Sequence, residues 1–181
     1  MSILYVYPVA SPELPSKVLT HFEDIASTLA EQGIGFERVP AANLIVAGTD
    51  QDEVIGAYRQ QIDGLMTRHG HVAADVISVN GPDPEQNLLA AGFLDEHCHD
   101  ADESRFFVAG RGLYSLRIGD FVYAVLCEKN DLIFVPAQTR RWFDVGENPR
   151  MVAIRLFSQP SGLVARATGE QIANRFPRLD D

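Results

Sequence analysis

A chain of 181 residues, 46% hydrophobic and 22% charged, can bury a sizeable core without staples and suits one domain. Its formal net charge of −10 argues against general binding to nucleic acid or anionic lipid, which needs basic patches. The two cysteines, Cys98 and Cys127, are too few for a disulfide framework and fit free thiols in a reducing cytoplasm. No basic stretch precedes the N-terminal apolar residues, and no apolar run approaches ~20 residues, so neither a signal peptide nor a membrane span is expected.

Residues 3–7 are apolar, end at Pro8 and predict a short strand. Residues 15–32 place Val18, Leu19, Phe22, Ile25, Ala26 and Leu29 near helical spacing and stop at Gly33, which predicts a helix. Residues 50–68 repeat the pattern with Val54, Ile55, Tyr58, Ile62 and Leu65, and Thr49 or Asp50 is the candidate cap. Residues 73–79 read as a strand ended by the turn Asn80-Gly81-Pro82, and residues 84–95, with Leu88, Leu89 and Phe93, as a short helix. Beyond His97 the texture is short strands divided by turns: 113–118, the tight turn Gly119-Asp120, then 121–127, 132–135, 141–145 and 151–157. Thr168-Gly169-Glu170-Gln171 is a capping-box pattern ahead of residues 172–176. Together these predict a mainly β fold with α additions: one domain over 1–181, with a mostly helical region at 1–95 packed outside a β-roll core at 96–158, and a tail at 159–181.

The chemistry concentrates in EHCHDADESRF, residues 96–106. Alternation in a strand sends His97 and His99 to one face and Cys98 to the other. A turn at 100–102 then returns Glu103 to the same centre. Two imidazoles and one carboxylate with open positions suit Fe(II), Mn(II), Ni(II) or Co(II). With Gly110 the pattern becomes H-x-H-x3-E-x6-G, far more specific than a bare H-x-H, which is most often a surface pair. Gly-rich phosphate loops and nucleophile elbows are missing; Gly110-Arg111-Gly112 reads as a strand turn.

HCHDADESRF, FVAGRGLYSLRIGD, CEKNDLIFVPA, RWFDVG and AIRLF together resemble the acireductone dioxygenases of the cupin superfamily. GFERV, DVIS and the closing FPRL extend the similarity along nearly the whole chain. The resemblance implies a cupin jelly-roll β-barrel holding Fe(II) or, alternatively, Ni(II) on three histidines and one glutamate. It implies O2-dependent cleavage of an acireductone, as in methionine salvage: to formate and a keto acid with iron, to carbon monoxide, formate and methylthiopropionate with nickel. His97, His99 and Glu103 match three of the metal ligands. The fourth does not match. The family pattern reads P-A-x-T-x-H-W-F-D, commonly with Gly third; this chain has Gln138 in the third place and Arg141 in place of the histidine, and no histidine follows His99.

Arginine keeps its proton, so Arg141 is no ordinary ligand. Strand alternation turns it inward with Thr139, Phe143 and Val145, and Trp142 outward. Either a two-histidine, one-glutamate site survives and Arg141 binds the substrate's anionic oxygens, or Arg141 pairs with Glu103 and the metal is lost. Arg105, two residues after Glu103, matches an arginine that faces the substrate, and Arg155 a further pocket arginine. Phe93 and Phe143 match aromatic positions near the pocket, and Gln138 is a weak candidate donor there. The partners expected are a small anionic substrate and O2, acting on a cytoplasmic monomer or homodimer. Two other readings stand beside this one: a repurposed cupin oxygenase acting on another anionic substrate, and a metal-free cupin that binds a small anion.

Overall fold

The computed structural model describes residues 1–81 and 84–181, with the backbone alone for residues 86–89. Pro82 and the side chains of Leu88 and Leu89, all named above, therefore lie outside the description. In chain order the elements begin with β1 (Ile3–Pro8), β2 (Lys17–Leu19), α1 (Phe22–Ala30), β3 (Gly35–Arg38), α2 (Gln51–Ala57), α3 (Arg59–His69), β4 (Ala73–Asn80) and α4 (Pro84–Ala91). There follow β5 (His97–Cys98), β6 (Glu103–Ala109), β7 (Arg111–Ile118), β8 (Phe121–Glu128), β9 (Asp131–Val135), β10 (Arg140–Asp144), β11 (Arg150–Phe157) and β12 (Arg166–Ala167).

Two antiparallel sheets face each other, ordered β12-β5-β10-β7-β8-β1-β2 and β3-β9-β6-β11-β4. Period-two alternation sends one side chain set between the sheets and the other outward. The space between them holds Leu4, Phe107, Val125, Ile133, Phe143 and Met151, all fully buried. Helix α1 joins the same core through Ile25 and Leu29. Outside the second sheet, Phe106, Ile154 and Leu156 meet Val54 and Tyr58 of the α2 region and Ile62 of α3. Outside the first, Trp142 meets Ile172 and Phe176 of the C-terminal segment.

The mainly β fold with helical additions is as expected, but the N-terminal region is less helical than its spacing suggested. Residues 17–19 form an edge strand paired with β1, and α1 begins only at Phe22. A segment this short, Lys17-Val18-Leu19, fits an edge strand as well as a helix turn. Residues 35–38 form β3, hydrogen-bonded to β9. The long helix of 50–68 is two helices, broken at Tyr58 where the backbone leaves helical values (φ −112, ψ 15). Its N-terminus is capped as read: Glu53 N donates to Asp50 Oδ1 at 2.9 Å. The capping box near 168 does not form. Thr168 Oγ1 donates to Glu96 Oε1 at 2.8 Å, and residues 172–175 make only a 3-10 turn.

Gly110 is explained by position. It has φ +70, and a Cβ there would collide with the carbonyl oxygen of Arg150. The turn from β6 into β7 passes too close to β11 for a side chain.

Candidate metal centre

β5 is only two residues long, pinned between β10 and β12. Its register sets His97 directly opposite Arg141 on β10, so both side chains share one face. The following turn is tied down by Asp102: its N–H donates to Ser158 Oγ at 2.9 Å, and its Oδ1 accepts from Ala137 N at 2.8 Å. Glu103 therefore opens β6 on the inward face, followed by Arg105 and Phe107.

The two histidines are held alike. His97 Nδ1 lies 2.8 Å from the Asp95 carbonyl oxygen, and His99 Nδ1 lies 2.7 Å from that of Gly162. A carbonyl only accepts, so Nδ1 carries the proton and Nε2 presents a lone pair. The rings stand 5.3 Å apart, and His99 packs against Phe157. Nε2 of His99 is buried and has no hydrogen-bond partner among the described residues. Burial lowers both imidazoles to about 4, with the nearby Arg141 charge acting in the same direction. Both rings are neutral at pH 7, as metal ligation requires.

Glu103 is placed differently. Its Oε1 accepts from Tyr114 Oη at 2.7 Å and from Arg141 Nη1 at 2.9 Å; its Oε2 accepts from Arg105 Nε at 2.6 Å. Burial alone would raise its pKa, but Arg105, Arg141 and Arg155 outweigh that and hold the carboxyl well below the usual range. Among the described residues no three His, Cys, Asp or Glu side chains converge to hold a metal ion. The imidazoles fit a divalent ion; Glu103, engaged at both oxygens by guanidinium groups, does not in this arrangement.

Arg141 points inward as alternation required, and is fully buried. Besides Glu103 and Tyr114, it donates through Nε to Thr139 O at 3.0 Å and through Nη2 to Pro136 O at 3.1 Å. Arg105 is stacked on the rings of Tyr114 and Phe143, 4.1 and 4.8 Å from their centres. Its Nη1 is buried without a partner among the described residues. Phe143 is thus the platform beneath Arg105, and Phe93 packs edge-on to it at 6.4 Å. Arg155, on β11, sits directly opposite Arg105 on β6. Its expected place as a pocket arginine needs correcting: a bidentate pair with Asp75, at 2.7 and 2.6 Å, occupies its Nε and Nη2. Gln138 is also corrected as a candidate donor. Its amide oxygen accepts from Arg166 at 2.7 Å and its nitrogen donates to Asp100 at 3.0 Å, at the exposed rim.

Tyr114 and Asp75 escaped the sequence reading. Tyr114 sits opposite Phe143 in the β7–β10 register, so its parity with that inward residue was the available signal. Burial pushes its hydroxyl up to about 12, which keeps it a donor to Glu103. Asp75 had only its place in a strand to mark it.

A two-sheet antiparallel β roll with paired histidines and charged residues at one end of its interior is a cupin-type fold. The sequence model of the ARD/ARD' family matches residues 8–165. Curated relatives named acireductone dioxygenase, from Pseudomonas syringae pv. tomato and Pseudomonas fluorescens, are 66% and 65% identical over all of both chains. One from Pseudomonas aeruginosa is 59% identical over the same span. A solved acireductone dioxygenase from Bacillus anthracis, described with a cadmium ion in its active center, superposes with a TM-score of 0.75 at 26% identity. That match covers 91% of this chain and 97% of the other. The chain belongs to the acireductone dioxygenase (ARD/ARD') family, a family of metal-dependent dioxygenases. No helix among its described residues is long and apolar enough to cross a membrane.

Proposed function

We propose that the chain cleaves an acireductone with O2, as in methionine salvage, at the charged end of the inter-sheet space. One observation carries this reading: two neutral imidazoles, held with their Nε2 lone pairs available, lie beside an arginine with a buried, unpartnered Nη1. Arg105 is the substrate anchor. Its guanidinium is fixed by Glu103 and by the rings of Tyr114 and Phe143, so Nη1 can meet an enediolate oxygen without reorganising. Tyr114 keeps its proton and orients the Glu103 carboxylate. Phe143 and Phe93 wall the site on the apolar side.

His97 and His99 are the residues that would hold the divalent ion, Fe(II) or Ni(II), with Glu103 a third donor only once released by Arg141. Such an ion would supply stabilisation of the enediolate's negative charge. Neither nucleic acid nor membrane enters this reading, in keeping with the net charge of −10.

The test is O2 uptake by the purified chain given acireductone and an excess of Fe(II) or Ni(II). Uptake should exceed that of the free ion and fall about 100-fold or more in Arg105→Ala. Uptake equal to the free-ion control would end this reading. Tight acireductone binding without uptake would select the metal-free anion-binding cupin, which the Glu103–Arg141 pair favours.

A further inference from the structure

Arg141 does more than fill a histidine's place. It occupies a built socket. All three of its guanidinium nitrogens are bonded, two of them to the carbonyls of Pro136 and Thr139 and the third to Glu103 and Tyr114. The turn that presents those carbonyls is itself anchored. Gln138 takes φ 67, a left-handed value that favours glycine, and its N–H donates to His99 O at 2.9 Å. Its side chain is clasped between Asp100 and Arg166. Both departures from the family pattern, Gln138 and Arg141, thus have dedicated partners.

For Glu103 to serve a metal, Arg141 would have to leave its carboxylate. That would separate a buried guanidinium from its carboxylate and from two part-buried carbonyls, a costly exchange. The side chain is fully buried where it stands.

We propose that Arg141 is a resident cation on Glu103 that competes with the divalent ion, making the metal of this chain a dissociable one held by His97 and His99. The inference rests on the proposed site but not on its reaction. It accounts for the retained histidines and the engaged glutamate together.

The experiment measures Ni(II) binding, with turnover read separately. The natural chain, Arg141→His and the double variant Gln138→Gly/Arg141→His are loaded with Ni(II), passed through a desalting column and analysed for retained metal. Dissociation constants are taken by equilibrium dialysis. The natural chain should retain well under one equivalent and bind about 100-fold more weakly than Arg141→His. Its melting temperature should not respond to a chelator, whereas that of the histidine variant should fall. The double variant serves if Arg141→His alone, next to the left-handed Gln138 turn, fails to fold. One retained Ni(II) per natural chain would overturn the proposal, as would equally weak binding in both histidine variants. A loaded histidine variant that binds Ni(II) tightly yet consumes no O2 with acireductone would sink the proposed reaction and leave the competition standing.

Discussion

Four strands carry both ends of the inter-sheet space, and the two ends are chemically opposite. On β6 the inward sequence is Glu103, Arg105, then Phe107; on β4 it is Asp75, then Ile77 and Val79. On β10 it is Arg141, then Phe143 and Val145; on β11, read backward, Arg155, then Ala153 and Met151. One two-residue step on each strand crosses from charge to hydrocarbon. The same backbone pairing supports both, so the contrast isolates what the side chains do. The apolar end stabilises by leaving water, at ~1.5–3 kcal/mol for each large side chain buried. At the charged end each ion must be repaid by a partner, and such pairs often return little net stability. A fold that needed only a core would have continued Phe107, Ile77 and Ala153 to the rim. The charged end is there to be used.

The largest expected break in this comparison is Glu103→Ala. It leaves Arg105 and Arg141 buried without their shared carboxylate and should cost ~3–5 kcal/mol. For a chain of this size that is a fall in melting temperature of roughly 6–20 °C. Loss of under 2 °C would mean the arginines find other partners.

Phe107→Ala, at the apolar end, should cost ~3–5 kcal/mol through its cavity, and the same amount at pH 7 and pH 5. The natural charged end should be acid-sensitive instead. Above about pH 6.5 the histidines are neutral in both folded and unfolded chains. Below it the unfolded chain takes up protons that the buried rings refuse until about pH 4. Stability is therefore lost as pH falls from ~6.5 to ~4, and Glu103, held low, adds its loss only as pH falls below the usual carboxylate range. Urea melts at pH 7, 6 and 5 check the slope; a flat profile would contradict the neutral, buried state of both rings.

The smallest effect belongs to the rim. Gln138→Gly relieves a left-handed backbone and should gain about 1 kcal/mol, less whatever the clasp to Asp100 and Arg166 contributes. Destabilisation would show that the clasp outweighs the strain.

By itself the sequence determined the strands from Leu113 to Phe157, the side-by-side histidines and the inward aim of Arg141, because alternation is local and one residue's neighbours settle it. The Gly110 turn and the Asp50 cap were legible for the same reason. Edge strands β2 and β3 were not, since three or four residues touching one neighbour leave too little pattern. Nor was the break at Tyr58, because the apolar stripe runs unbroken through it and its ring stays buried against Phe106. Only the tertiary structure decided what Arg141 and Arg155 do. Arg141 meets Glu103 across 38 residues of chain, and Arg155 meets Asp75 across 80. A guanidinium's role depends on which carboxylate reaches it first, and sheet register, which no short stretch of sequence contains, brings these together.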